Sequence, residues 1–596
     1  MLIHHTTVEL QSKHVDWARP GLLRVTHPPQ DGAGGAAWVC NLLRGMNLPC
    51  YTHTFYEVPA SKSGLRASIY TVLEPAPGAD GKECMVLTTA QDLSGSAEAL
   101  LEGPAFLGLS VSLSILKQLK DHVGWMSKRV VLLVVDESSE SVKAERLHVG
   151  VKAFVDDYHL NTLDLLERHQ QDRALTHSVR HSGVIRAAIS LDLRGTCLPE
   201  TTQLLSTGLN GELPNMDLLN TAVIHLDRQG VKVVLDRCCA PLHDESHPSS
   251  CTDAVARAES AVACLVSRKY GRAFQGYLDR LFAMLGFMGS MVIGPSGPHA
   301  HFLKHSVDAL TIRGIETSGG GGAFEGEACT RSHARRMGAI IAIVRGISNL
   351  EEELHHSFFA YVMLSTRAFV SMGEYAYALA LLLFPLVMQA RGFPRLYRRN
   401  RLLSAVLTVV AFEAFGALLL LGASIAPEPS TDALYRYLQL ATLVGYLLVI
   451  AVRLVICSRQ KTTRVAETEV VLWEGPRMVV ACLVAYSCSV TALLSWPVAA
   501  VLALTHVPVL AMASPFRAKC LAGWGILPLM LVSLPVCWPW LLGFASGGGF
   551  DGGIATMLHW LRWYRFSGLL NLPLMCVVSF PAHLTAAYIL ISPHTR

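Results

Sequence analysis

Apolar residues are distributed unevenly along this chain of 596 residues. Toward the C-terminus they gather in runs of about 20, the length a helix needs to cross a hydrocarbon core about 30 Å thick. Seven such runs, near 372–390, 402–425, 437–457, 478–494, 497–513, 521–544 and 567–591, predict an all-α membrane bundle over residues 366–596. The fourth and fifth are separated only by Ser495, Trp496 and Pro497, which predicts either a tight hairpin or a kinked pair.

Upstream the pattern changes. Short β-branched or apolar runs at 67–73, 84–89, 129–135, 184–193 and 309–312 read as strands buried on both faces. Stretches of helical periodicity lie between and beside them, at 100–119, 141–158, 214–228 and 272–289. This alternation predicts an α/β domain over residues 1–331, a mostly parallel sheet with helices on both faces, with the glycine run at 319–322 as a loop. From 332 to 364 the spacing predicts one helix running into the first span, so residues 332–365 are expected to join head and membrane rigidly.

Composition agrees with this division. At 51% hydrophobic and 16% charged residues, with a mean hydropathy of +0.36, the chain carries too little charge for a purely soluble protein. A net charge of +4, with no basic run outside the loops between spans, argues against nucleic acid as a partner. Basic loops stay in the cytoplasm. Arg391, Arg395, Arg398, Arg399 and Arg401 follow the first span; Arg453, Arg459, Lys461 and Arg464 flank the end of the third; Arg517 and Lys519 follow the fifth. The alternate loops at 426–435 and 545–560 contain no Lys or Arg, so the head is expected in the lumen and the C-terminus at Arg596 in the cytosol. Residues 1–24 have no apolar core, and a lumenal head is therefore expected to follow a spanning helix that this sequence lacks. Nine of the fifteen cysteines lie in the head; disulfides are possible in an oxidising lumen, with the pairing left open. No asparagine forms a glycosylation sequon.

Open α/β sheets hold ligands at the C-terminal ends of their strands. Those ends carry Asp92 after one run, Asp136 and Glu137 after the next, and Asp192 near the end of a third.

Three ordered blocks carry a family resemblance: GLNGELPNMDLLN at 208–220, GPHAHFLKHSVDALTIRGI at 297–315 and LEEELHHSFFAYVML at 350–364. They resemble the signature segments of the Gaa-type anchor-attachment subunit of the GPI transamidase complex. The resemblance implies an endoplasmic-reticulum membrane complex that joins the C-terminus of a precursor protein to a GPI lipid. The implied partners are a caspase-like catalytic subunit, further transamidase subunits, the GPI lipid, precursor proteins and the membrane. It further implies one spanning helix before the head and seven after it, and a head similar in fold to zinc aminopeptidases.

A di-zinc peptidase needs two histidines, two or three carboxylates and a general-base Glu. Asp92, Asp136, Glu137 and Asp192 supply acids, but the His-any-Asp ligand pattern reads Ala90, Gln91, Asp92, and residues 315–329 contain no His. His299 and His301 precede the last strand and are expected at a different site. The four carboxylates therefore read as a vestigial acidic cleft, with no catalytic residue, metal or cofactor expected. The alternatives are a degenerate zinc enzyme that forms the amide bond, or a lumenal membrane metallopeptidase. His243 and His247 have zincin spacing, but Asp244 stands where the base belongs and Pro248 follows. Cys238, Cys239 and Cys251 nearby read as thiols or a disulfide more readily than as a zinc site. No serine-nucleophile elbow appears.

In the first block, Gly208 and Gly211 suit a turn, Asn210 tolerates a left-handed backbone, Pro214 starts a helix and Asn215 follows it; the same residues would also suit an exposed interface. Within the spans Glu413 is a carboxylate at a depth where charge is costly, satisfied by a neighbouring helix or by a ligand. Prolines 385, 508, 528, 535, 539, 573 and 581 predict kinks. The resemblance associates the last span with GPI recognition, which marks Phe580, Pro581 and His583 as lipid-proximal candidates.

Overall fold

The computed structural model describes residues 34–56, 65–79, 81–102, 105–121, 123–137, 147–159, 179–194, 201–235, 272–295, 297–314, 327–350, 360–389, 402–425, 430–460, 473–514, 537–540, 542 and 549–591. Contacts divide the chain into two units, Met1–Arg237 with Pro295–Phe369, and Cys238–Gly294 with Val370–Arg596.

In chain order the first unit contains α1 (Gly35–Gly45), β1 (Tyr51–Tyr56), β2 (Leu65–Leu73), β3 (Glu83–Gln91), α2 (Ala97–Glu102), α3 (Phe106–Asp121), β4 (Arg129–Asp136), α4 (Val149–His159), β5 (Val184–Asp192), β6 (Thr201–Leu205), α5 (Met216–Arg228) and β7 (Lys232–Leu235). After α6 (Arg272–Ile293), which belongs to the second unit, the head resumes with α7 (His299–Leu303), β8 (Asp308–Gly314), α8 (Glu327–Ser348) and β9 (Tyr361–Ser365). Eight strands form one sheet in the order β1-β2-β4-β3-β5-β8-β6-β7. The central four, β4-β3-β5-β8, are mutually parallel. Antiparallel pairings on either side, β2 with β4 and β6 with β8, make the sheet mixed.

The alternation of side chains across each strand builds two layers. Val86, Val131, Val135 and Ile185 pack under Phe154 and Val155 of α4 and Phe302 of α7. On the opposite face α3 lies so close to β3 that a Cβ at Gly108 would meet Thr89 Oγ1 at 2.9 Å, and α8 covers α3 and α5. A fully buried aliphatic or aromatic side chain contributes about 1.5–3 kcal/mol, so this double-sided core dominates the head's stability.

Several expectations change here. β1, β6 and β7 are additional strands; β1 and β7 form the sheet edges. The expected helix at 100–119 is two helices, α2 and α3. The continuous helix expected over 332–364 ends at Ser348, and residues 361–365 are strand β9, so no unbroken helix joins head to span. Tyr361 is fully buried and donates from its hydroxyl to Pro214 O at 2.9 Å, which holds β9 against the head.

The second unit is helical: α6, α9 (Met372–Gln389), α10 (Leu402–Ile425), α11 (Thr431–Gln460), α12 (Glu474–Leu494), α13 (Trp496–Met512), α14 (Gly549–Ser567), α15 (Asn571–Leu574) and, after a π turn at Met575–Ser579, α16 (Phe580–Ile591). Among the described residues six helical segments are long and apolar enough to cross a membrane: Gly276–Ile293, Met372–Gln389, Leu402–Ile425, Asp432–Val455, Glu474–Leu494 and Asn571–Ile591; α13 is a shorter apolar helix. The stretch at 272–289, expected in the head, is thus α6 of the membrane unit. Most of the expected span at 521–544 lies outside the described residues.

α12 and α13 form a tight hairpin through Ser495 alone, because Arg477 near the start of α12 donates to Leu510 O at 3.0 Å near the end of α13. The last span is the hub. Its window is 78% buried against 17% to 33% for the other five, and α10, α11, α12 and α13 all pack on it. α14 replaces the glycine-rich loop expected at 545–560. Ile554, Met557, Leu558 and Leu561 fall on one face at helical spacing and are buried, and that burial outweighs the low propensity of the glycines.

Candidate functional site

The four parallel strands end along one edge of the head, and strand register carries the expected acids to it. Gln91 pairs with Asp136, which sets Asp92 and Glu137 one residue beyond, and Asp192 pairs with Arg313 on β8. Asp136 is buried; it accepts from Leu93 N at 2.9 Å, and Arg66 Nη1 lies 3.5 Å away. The same guanidinium is 4.0 Å from Asp92, whose Oδ1 also accepts from Ser94 Oγ at 2.6 Å. Burial raises the Asp136 carboxyl above the usual carboxylate range, with the nearby Asp92 charge adding to this and Leu93 N and Arg66 opposing it.

Asp192 is held from two sides. Arg194 Nε donates to Oδ1 at 2.8 Å and Arg313 Nε to Oδ2 at 2.7 Å. Glu137 faces His148, whose Nδ1 lies 3.1 Å from Oε2 and 3.2 Å from Oε1 with both side chains buried. His148 has φ +49°, in the left-handed region, and its Nε2 is buried without a hydrogen-bond partner among the described residues.

The two buried histidines serve the fold. His299 Nε2 donates to Thr207 O at 3.1 Å and its Nδ1 accepts from the Thr311 hydroxyl at 2.8 Å. His301 Nε2 donates to Leu147 O at 2.7 Å. Burial pushes both imidazoles down to about 3, which keeps them neutral. They are nearer the strand-end acids than expected, since Leu147 directly precedes His148. Among the described residues no three His, Cys, Asp or Glu side chains converge to hold a metal ion. A zinc ligand must turn an uncompensated lone pair toward the metal; here guanidinium groups and an imidazole pair with Asp136, Glu137 and Asp192, and this donor set, among the described residues, does not fit a di-zinc centre.

Sequence reasoning missed Arg66, Arg194, Arg313 and His148. Arg194 is two residues from Asp192, but Arg66 and Arg313 come from β2 and β8, and only the strand order brings them in. The segment at 243–247 and the cysteines Cys238, Cys239 and Cys251 lie outside the described residues. Cys40 and Cys50 form a disulfide.

The first resemblance block is a turn. Residues Leu209–Gly211 form a short 3-10 turn in which Asn210 has φ +53° and Gly211 φ +84°. Asn215, fully buried, caps α5 by accepting from Asp217 N at 2.9 Å, while its own N–H donates to Asp308 at 2.7 Å. Pro214 thus precedes the cap instead of opening the helix. In the membrane unit Phe580, Pro581 and His583 come together inside the bundle; His583 Nε2 meets Tyr446 OH at 2.8 Å, and the Phe580 ring lies 5.8 Å from Phe415. Glu413 is half-buried on α10, with Oε1 lacking a partner among the described residues.

A multi-pass membrane protein carrying an α/β head with arginine-paired strand-end carboxylates is the class these features define. Its family follows from sequence: the chain belongs to the family described as Gaa1-like, GPI transamidase component, which matches residues 67–587. It is similar to the GPI transamidase component GAA1 of Saccharomyces cerevisiae, 27% identical over 312 residues, covering 52% of this chain and 39% of that protein. It is likewise similar to GPI transamidase component gaa1 of Schizosaccharomyces pombe, 24% identical over 338 residues, covering 56% of this chain and 47% of that protein. The match spans less than half the length of these relatives. Among solved structures the chain is similar to the Legionella pneumophila LapA aminopeptidase, with a TM-score of 0.32 and 12% identity over 59% of this chain and 75% of that one. It is also similar to a Fimbriiglobus ruber glutaminyl cyclase, with a TM-score of 0.30 and 8% identity over 57% and 93%.

Proposed function

We propose that this chain is a non-catalytic subunit of a GPI transamidase complex in the endoplasmic reticulum membrane. The head scaffolds the lumenal subunits, among them a caspase-like catalytic one, and the bundle holds GPI or precursor beside them. The observation that carries this is the pairing of Asp136, Glu137 and Asp192 with Arg66, His148, Arg194 and Arg313, which turns these three carboxylates toward partners within the head. Both alternatives, a zinc enzyme forming the amide bond and a lumenal metallopeptidase, require those same carboxylates to turn toward metal.

The lumenal placement draws support from the Cys40–Cys50 disulfide, since such bonds persist in oxidising compartments. The Arg- and Lys-rich loops after the first, third and fifth expected spans point the same way. Affinity purification of the full chain in mild detergent tests the proposal. A caspase-like cysteine protease is expected to co-purify in stoichiometric amount with GPI-attachment activity; recovery of this chain alone, hydrolysing peptides without partners, would overturn it.

A further inference from the structure

The chain leaves the head after Arg237, runs through α6 in the membrane unit and rejoins the head at Pro295. By length and hydropathy α6 is able to cross a bilayer. Connectivity forbids it. β7, before α6, and β8, after it, both pair with β6, so Leu235 and Asp308 belong to one sheet and lie on one side of the membrane. A single crossing by α6 would separate them. A compensating crossing would need about 20 apolar residues, and between 236 and 271 no uncharged run exceeds the eight residues 260–267.

The C-terminal end of α6 is held by side chains of the kind found at a membrane boundary. Trp560 Nε1 donates to Ile293 O at 2.9 Å, and Asn571, where the last span starts, donates its amide to Val292 O. Val292 packs in one cluster with Trp496, the first residue of α13. Tryptophan concentrates where membrane meets water. Gly294 then takes φ +107°, a left-handed value that closes the helix and lets the chain turn back to the head. From this level an upright α6 would carry Arg280, 13 residues before Ile293, about 20 Å into a hydrocarbon core about 30 Å thick. Arg280 is exposed, and its Nε donates to Gly276 O at 3.0 Å on its own helix. A guanidinium facing acyl chains at that depth is costly. Tyr277, Arg280 and Leu285, the exposed residues among the described side chains of α6, fall within about 140° of one another around the helix. A phenol, a cation on an aliphatic stem and a leucine on one side suit the headgroup boundary.

We infer that α6 does not cross the membrane but lies in the plane of its interface on the head's side, with Tyr277, Arg280 and Leu285 against lipid headgroups and the upper acyl chains. The partner of this surface is the bilayer itself. The head's own chain is then fastened to the membrane twice, at the return from α6 into Pro295 and at the exit from Phe369 toward α9. This reading does not depend on the transamidase role proposed above.

The test uses the full chain reconstituted in phosphatidylcholine nanodiscs, with a dansylated alanine introduced at 277 or at 285, both exposed positions. Depth is read from quenching by phosphatidylcholine that carries a nitroxide either near the headgroup or at the end of an acyl chain. At both positions the shallow nitroxide is expected to quench at least about threefold more strongly than the deep one, as for a helix buried 5–10 Å into the boundary. Stronger quenching by the deep nitroxide at 285 would show an upright helix, and no quenching by either would place α6 in water; each result overturns the inference. A second measurement needs no label. A protease recognition sequence inserted after Ser250, ahead of α6, or after Gly320, beyond β8, is expected to show the same protection in sealed microsomes, and opposite protection would mean that α6 crosses.

Discussion

Arg313 illustrates how one residue decides the chemistry of a strand end. Its guanidinium reaches Asp192 across the β5–β8 register, and with Arg194 it turns an acid that a metal would need into half of a structural ion pair. These side chains are half-buried, so removing one partner is expected to cost about 1–3 kcal/mol, the range for a hydrogen bond to a charged group. His299 and His301 act in the same structural sense and give a pH signature. Their folded values, near 3, lie below the unfolded value of 6.5, so their contribution is complete above pH 6.5 and is lost as pH falls toward 3. In that window each is expected to lower stability by about 1.4 kcal/mol per pH unit, and His299→Gln is expected to flatten the slope by that amount in thermal melts of the full chain between pH 7.5 and 5. A slope unchanged by the substitution would show that His299 is protonated in the fold. The acids themselves were legible because strand ends are where α/β folds place polar groups. Their partners were not, since no local spacing links Arg66 or Arg313 to them.

Elements with uniform surroundings were the most legible. β3, β4 and β5 are buried on both faces and show it as unbroken apolar runs, whereas β1 and β6 interleave Thr, His and Gln with few apolar positions and gave no such signal. α14 was hidden by its glycines, and the break after Ser348 was hidden because the segment beyond it is apolar enough to pass for helix. Span boundaries followed from hydropathy, but the central position of the last span did not, because its composition resembles that of its neighbours. Its close packing depends on Gly416, where a Cβ has no space against Cys576 O. Gly416→Ala is expected to destabilise the bundle by about 1–3 kcal/mol, read as a lower melting temperature and yield in detergent. An unaltered melting temperature would mean that α10 does not approach the last span as closely as described.

At the scale of the whole molecule, the head and the helical bundle are separate compact units, each with its own core. One is a sheet domain whose strand-end acids Asp136, Glu137 and Asp192 are paired with arginines and a histidine, and the other is organised, among the described residues, around one buried span. Family membership places the chain among the Gaa1-like GPI transamidase components, and the pairing of its strand-end acids is what the proposed scaffold role rests on. The most direct measurement is GPI attachment per assembled complex in cells whose only copy of this chain carries Glu137→Gln. Because a general base or metal ligand is worth about 10²–10⁴-fold in rate, a scaffolding head predicts attachment within about twofold of the unsubstituted complex, and a fall of about a hundredfold at normal complex levels would contradict it.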